Sequence, residues 1–170
     1  MKRNGLTWAL SLAIASMALA APATAVDVAS FKERISPRSS FLVPLAVSPA
    51  QETFIDVHRA GNRVGVCCQY INQTSHCADA SQAVCLDNQQ CPAGVCVPSC
   101  SSIDFRFLLD TTRSRVVWFV GMGNAPEGIP PVAEFPFFGQ LLCLGAPANR
   151  AGEFECPCVD PCNSGVCPGF

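Results

Sequence analysis

Ile103-Asp104-Phe105-Arg106-Phe107-Leu108-Leu109 puts Ile103, Phe105, Phe107 and Leu109 on one side of an extended chain and Asp104, Arg106 and Leu108 on the other. Successive side chains of a strand point to opposite faces, so an apolar residue at every second position marks a strand with one buried face. Residues 110–114 make a polar turn, and 115–120 return with Val116, Trp118 and Val120 on one face. Further out, the runs 53–59 and 63–71 flank Ala60-Gly61-Asn62, a short glycine-containing link that predicts a hairpin. In the second run Val64, Val66, Cys68 and Tyr70 share a face, so Cys67 points away from Cys68. That adjacent pair is expected to bond one partner across the core and one at the surface. Residues 138–144 predict another strand after the Gly/Pro loop 121–131, and residues 152–156 a short last one. Helical periodicity is weak beyond the N-terminus. The expectation is a mostly β chain: an antiparallel β-sandwich of Ig-like architecture with disulfide-rich loops and a Cys-rich C-terminal tail.

The N-terminus reads as an export signal. Lys2 and Arg3 precede an apolar run over 6–19, too short to span a bilayer, and Ala23-Thr24-Ala25 supplies a small-x-small cleavage pattern. Cleavage after Ala25 makes Val26 the first mature residue, and no cysteine follows the apolar run to accept lipid. The expected organisation is a signal peptide at 1–25 and an N-terminal segment at 26–50 with room for a first strand. A disulfide-stapled sandwich at 51–156 and a Cys-rich tail at 157–170 complete it. Without Lys2 and Arg3, 9 basic residues face 13 acidic ones, a formal charge of −4, which argues against a nucleic-acid partner. Lys32, Arg34 and Arg38, interrupted by Glu33, read as a solvated segment. Later apolar runs are too short for a membrane anchor, so the expected location is secreted or periplasmic.

All 12 cysteines lie between Cys67 and Cys167, and an exported chain folds where disulfides persist. Cys67, Cys68, Cys77, Cys85, Cys91, Cys96 and Cys100 form one cluster; Cys143, Cys156, Cys158, Cys162 and Cys167 form another. Both counts are odd, so complete pairing within the chain requires at least one bridge between clusters. Such a bridge closes a loop of more than forty residues and constrains the unfolded chain more than a local staple does. The pairing itself is left open. Two stretches, Cys85 to Cys96 and Cys158 to Cys167, share a C-x-D followed by C-x-x-G-V-C; glycine-bearing cysteine turns account for the likeness more simply than a duplicated module does.

The order of segments resembles an uncharacterised group of secreted bacterial β-sandwich-like proteins over roughly residues 48–143. The matching pieces are Gln51-Glu52-Thr53-Phe54-Ile55-Asp56-Val57, Val66-Cys67-Cys68-Gln69-Tyr70-Ile71-Asn72, Asp104-Phe105-Arg106-Phe107-Leu108-Leu109, Val117-Trp118-Phe119-Val120, and Ile129-Pro130-Pro131 with the stretch from Pro136 to Cys143. The resemblance implies a bacterial, extracytoplasmic, non-enzymatic β domain and brings no active site with it. After Arg150 the chain departs from that pattern, where a polar final strand would be expected.

Few motifs carry chemistry. Zinc-ribbon, thioredoxin and haem-attachment spacings are absent, and no cofactor is expected. Cys156-Pro157-Cys158 has the donors for a soft metal such as Cu(I), but disulfides are expected there in an oxidising compartment, and no metal site is assigned. His58 and His76 lie outside any catalytic motif and read as surface residues. Glu153 and Glu155 fall on one face of the predicted last strand and, as paired carboxylates, support an alternative reading as a secreted hydrolase. Asn72-Gln73-Thr74 fits a glycosylation sequon. The segment 129–138 holds three prolines, three phenylalanines and one charge, Glu134. Its phenylalanines either close one end of the core or, at Phe135 and Phe137, form an interaction surface. The reading that results is an exported, non-enzymatic structural or binding protein held by about six disulfides. Its partner would be an unidentified extracellular protein or surface component.

Overall fold

The computed structural model describes residues 25–79, 82–92 and 94–162; the expected export signal and Cys167 lie outside them. Among the described residues there are nine strands and no α-helix: β1 Asp27–Ile35, β2 Ser40–Val47, β3 Gln51–Arg59, β4 Val64–Asn72, β5 Ser75–Cys77, β6 Cys96–Pro98, β7 Ser101–Leu109, β8 Arg115–Phe119 and β9 Phe137–Pro147. A three-stranded sheet in the order β1-β3-β8 packs on a four-stranded sheet in the order β2-β9-β4-β7, and β5 and β6 form a small third sheet. The β1–β3 pair is parallel and the others antiparallel. The segment 26–50 supplies one strand to each large sheet, and Lys32 and Arg34 on β1 and Arg38 after it are exposed.

The two-residue periods close the core as expected. Phe105, Phe107 and Leu109 of β7 and Val64, Val66, Cys68 and Tyr70 of β4 meet Ile55 and Val57 of β3 and Val116 and Trp118 of β8. Each such buried side chain contributes roughly 1.5–3 kcal/mol of transfer free energy. Trp118 Nε1–H donates to the Tyr70 hydroxyl at 2.7 Å and joins the two sheets through their centre. Phe105 and Phe107 meet the indole edge-on, each at 6.0 Å between centroids. Burial pushes the Tyr70 phenol above its ordinary value, so it stays protonated. Thr53 makes a second seam: its hydroxyl donates to Ala46 O at 3.0 Å and accepts from Ala46 N at 3.2 Å, stitching β3 to β2 of the other sheet.

The expected hairpin is instead an arch between sheets. β3 pairs with β1 and β8, whereas β4 pairs with β7 and β9, so residues 60–63 cross the sandwich. Residues 110–114 likewise carry the chain from β7 to β8 of the other sheet. A short turn serves either purpose, and the apolar faces are buried equally well side by side or face to face. Which arrangement forms depends on how many partners each strand finds elsewhere in the chain.

The predicted last strand is also absent: residues 152–156 are irregular. The tail lies instead across the outer face of the four-stranded sheet as a strap. Phe154 packs onto Gly65 of β4, where a Cβ would come within 2.1 Å of the ring, so only glycine admits it. The Arg106 guanidinium lies 5.8 Å from the centre of the same ring. Gln69 Nε2–H donates to Val159 O at 3.0 Å, and Cys67 bonds to Cys156. All nine residues of β4 are consequently buried, inward by the sandwich and outward largely by the strap.

The disulfides complete the frame. Cys68 does not reach across the core as expected; it bonds to Cys143, directly opposite it on the neighbouring strand β9. Cys67 does point outward, as the alternation requires. The parity argument holds with three bridges between clusters, Cys67–Cys156, Cys68–Cys143 and Cys100–Cys162, spanning 89, 75 and 62 residues. In the chain-entropy picture each alone is worth about 4–5 kcal/mol, and the overlapping loops are not additive.

Candidate functional site

β4 and β7 pair as a hairpin whose last register pair is Asn72 with Ser101, yet 28 residues, 73–100, intervene. This excursion is a knob at one end of the sandwich. Its sequence is polar and short of large apolar residues, so cystines serve as its core. Cys77–Cys91 and Cys85–Cys96 close it, with their sulfurs clustered at its centre. Asp87 caps the 3-10 turn Asn88–Gln90 by accepting from Gln89 N at 2.8 Å. In the knob stretch Cys85 bonds to Cys96 and Cys91 to Cys77; in the resembling tail stretch Cys162 bonds to Cys100, and Cys167 lies outside the described residues.

Where the knob meets the sandwich, a cleft of about 640 Å³ opens, with Asn72, His76, Gln82, Ser99, Ser101 and Glu134 as its polar lining. Glu134 comes from the Pro/Phe segment and is held from both sides. Asn72 Nδ2–H donates to its Oε1, and His76 Nε2 lies 2.8 Å from its Oε2. A carboxylate only accepts, so the His76 proton sits on Nε2. Asn72 Oδ1 accepts from Thr74 N at 2.9 Å, and the Thr74 hydroxyl accepts from Phe138 N at 3.0 Å. Knob, β4, β9 and the Pro/Phe segment are therefore tied at one corner. Asn72 is 7% exposed and its amide is engaged, so the sequon offers no accessible glycan acceptor.

The other residues singled out by sequence are scattered. Phe137 is 1% exposed and belongs to the core, packing edge-on to Tyr70, which removes it from any interaction surface. Phe135, two residues earlier and across the cis Phe135–Pro136 bond, is 58% exposed next to Glu134 in the chain. Glu153 and Glu155 lie on the strap rather than on a strand, both exposed beside an open notch with Pro147, Asn149 and Phe154. Glu153 Oε2 accepts from Asn149 Nδ2 at 2.8 Å.

Cys156 and Cys158 are both disulfide-bonded, so neither offers a thiolate to a soft metal. The three neighbouring sulfurs of Cys77, Cys85 and Cys91 are likewise consumed in bridges. Among the described residues no cysteine is free. His58 lies 2.8 Å from Asp56, whose carboxylate also takes a two-pronged bond from Arg115 at 2.8 and 3.0 Å. The Arg115 bond, opposed by burial, holds the Asp56 carboxyl below its ordinary range.

Sequence reasoning passed over the residues that converge. His76 read as a surface residue and Asn72 as the first residue of a glycosylation sequon. One signal was available: Glu134 is the single charge in an apolar, proline-rich stretch, and a charge so placed needs a partner. No helix among the described residues is long and apolar enough to cross a membrane. No known protein family, no curated protein and no solved structure matches the chain.

Proposed function

We propose that this chain is an exported binding protein of a bacterial extracytoplasmic compartment, holding an extracellular ligand in the cleft between knob and sandwich. The observation that carries this reading is the convergence on one cleft of polar side chains from β4, β5, the knob, the start of β7 and the Pro/Phe segment. Recognition groups commonly sit on loops held by a rigid scaffold, at the junction of two structural units. The bridges among the described residues, three of them closing loops of 62 to 89 residues, support an oxidising compartment, where they persist.

The oxidised chain beginning at Val26, immobilised and exposed to the extracellular fraction and surface material of its producing cells, tests this. The expected result is retention of a defined component that is lost when Ser101→Trp fills the cleft and kept in Glu153→Gln/Glu155→Gln. Equal retention by both variants, or no retention, overturns the reading. So does turnover of the retained material that depends on Glu153 and Glu155.

A further inference from the structure

We propose that the cleft takes an uncharged, polyhydroxylated ligand, namely a neutral oligosaccharide; this rests on the reading of the cleft as the binding site. The argument begins with charge. Only His76 and Glu134 among its lining residues are ionisable, since Cys77 is in a disulfide. They hold each other, and Asn72 occupies the second carboxylate oxygen. Among the described residues no lysine, arginine or second carboxylate lines the cleft. An anionic ligand would leave water with no cation to meet it, and for a cationic one the single carboxylate is already engaged at both oxygens by Asn72 and His76.

What remains is a set of neutral donors and acceptors. The Ser99 hydroxyl donates to Thr74 O and keeps its lone pairs for a ligand. Glu134 takes up Nε2 of His76, which leaves Nδ1 as the remaining polar atom of the ring. Ser101 contributes a second hydroxyl and Gln82 an amide with both donors and an acceptor. Sugar hydroxyls both donate and accept, so they match such a mixed set without leaving either partner unpaired. The intervening walls are small and apolar (Ala78, Val97, Pro98 and Ala133), as the C–H faces of a sugar ring require. A cleft of about 640 Å³ falls within the range of small-ligand sites. The wall that carries Glu134 is already fastened by Asn72 and His76, so little ordering is left for binding to do.

Calorimetric titration of the oxidised chain tests the proposal, with neutral oligomers of glucose, galactose and N-acetylglucosamine and with uronic-acid oligomers as charged probes. Saturable binding of a neutral oligomer is expected, unchanged from low salt to about 0.5 M because no ion pair is involved. Val97→Trp and Ser101→Trp should each weaken it by at least about tenfold. The intact disulfide map of each variant establishes that it folds, and Glu153→Gln should bind as the parent does. Failure of every neutral oligomer to saturate the site overturns the ligand class. Binding confined to uronic oligomers and falling with salt, or to an uncharged extended peptide, does the same. If the panel fails while capture of surface material still depends on Ser101, the ligand class falls and the binding site stands. If a neutral oligomer binds both tryptophan variants as well as the parent, the cleft itself is refuted.

Discussion

Phe137→Ala should destabilise the protein by about 4 kcal/mol, whereas Phe135→Ala, two residues away, should change stability by less than about 1 kcal/mol. Phe137 is 1% exposed, stands opposite Val47 in the β2–β9 register, and packs edge-on to Tyr70 at 6.5 Å. Truncation removes the transfer free energy of a buried ring, leaves a cavity among strands stitched by disulfides, and forfeits an aromatic pair worth about 0.5–1.5 kcal/mol. The expected cost lies in the middle of the range of about 3–5 kcal/mol usual for such changes. Phe135 is 58% exposed and leaves no cavity. Urea melts under non-reducing conditions, followed by tryptophan fluorescence and near-ultraviolet circular dichroism, measure both. Their slopes need comparison as well as their midpoints, because bridges shrink the surface exposed on unfolding. A loss below about 2 kcal/mol at Phe137, or above about 2 kcal/mol at Phe135, would refute the assignment of one ring to the core and the other to solvent.

Non-reducing peptide mapping should recover Cys67–Cys156, Cys68–Cys143, Cys77–Cys91, Cys85–Cys96 and Cys100–Cys162; a Cys91–Cys96 peptide would contradict the knob. Tyr70→Phe strands the buried Trp118 N–H and should cost about 1–3 kcal/mol in the same melts, and no loss would mean that the cross-sheet bond contributes nothing. Asp104, on the outer face beside Gln69, has its carboxyl pushed above the ordinary 3.8 by burial. A raised folded-state value means that the native protein holds its proton longer than the unfolded chain, so stability falls as pH rises from about 4 through that value. Asp104→Asn should therefore be more stable than the parent at neutral pH, with the difference vanishing below about pH 4; melts across that interval showing a constant difference would exclude the titration as its cause.

Alternation over 103–109 and 115–120, and the shared face of Val64, Val66, Cys68 and Tyr70, were legible because burial of one sheet face imposes a period of two on the residues themselves. Cysteine parity was legible because pairing is arithmetic, and it implied a bridge between clusters without any geometry. Nothing local distinguishes a hairpin at 60–63 from an arch, since the same glycine turn and the same apolar faces serve both; competition from β1, β8, β7 and β9 for pairing decided it. The strap was hidden for a related reason: Phe154 finds its place only because Gly65, 89 positions earlier, leaves room for a ring on the outer face of β4. Asn72, His76 and Glu134 carry no motif and stand up to 62 positions apart. Their meeting required β4 and β7 to pair around the knob and the Pro/Phe segment to fold back onto it. The sequence alone therefore determined the class of fold and the parity of its staples, because both follow from local period and count. Tertiary structure alone decided strand order, the strap and the cleft, because each is a contest between distant segments for the same partner.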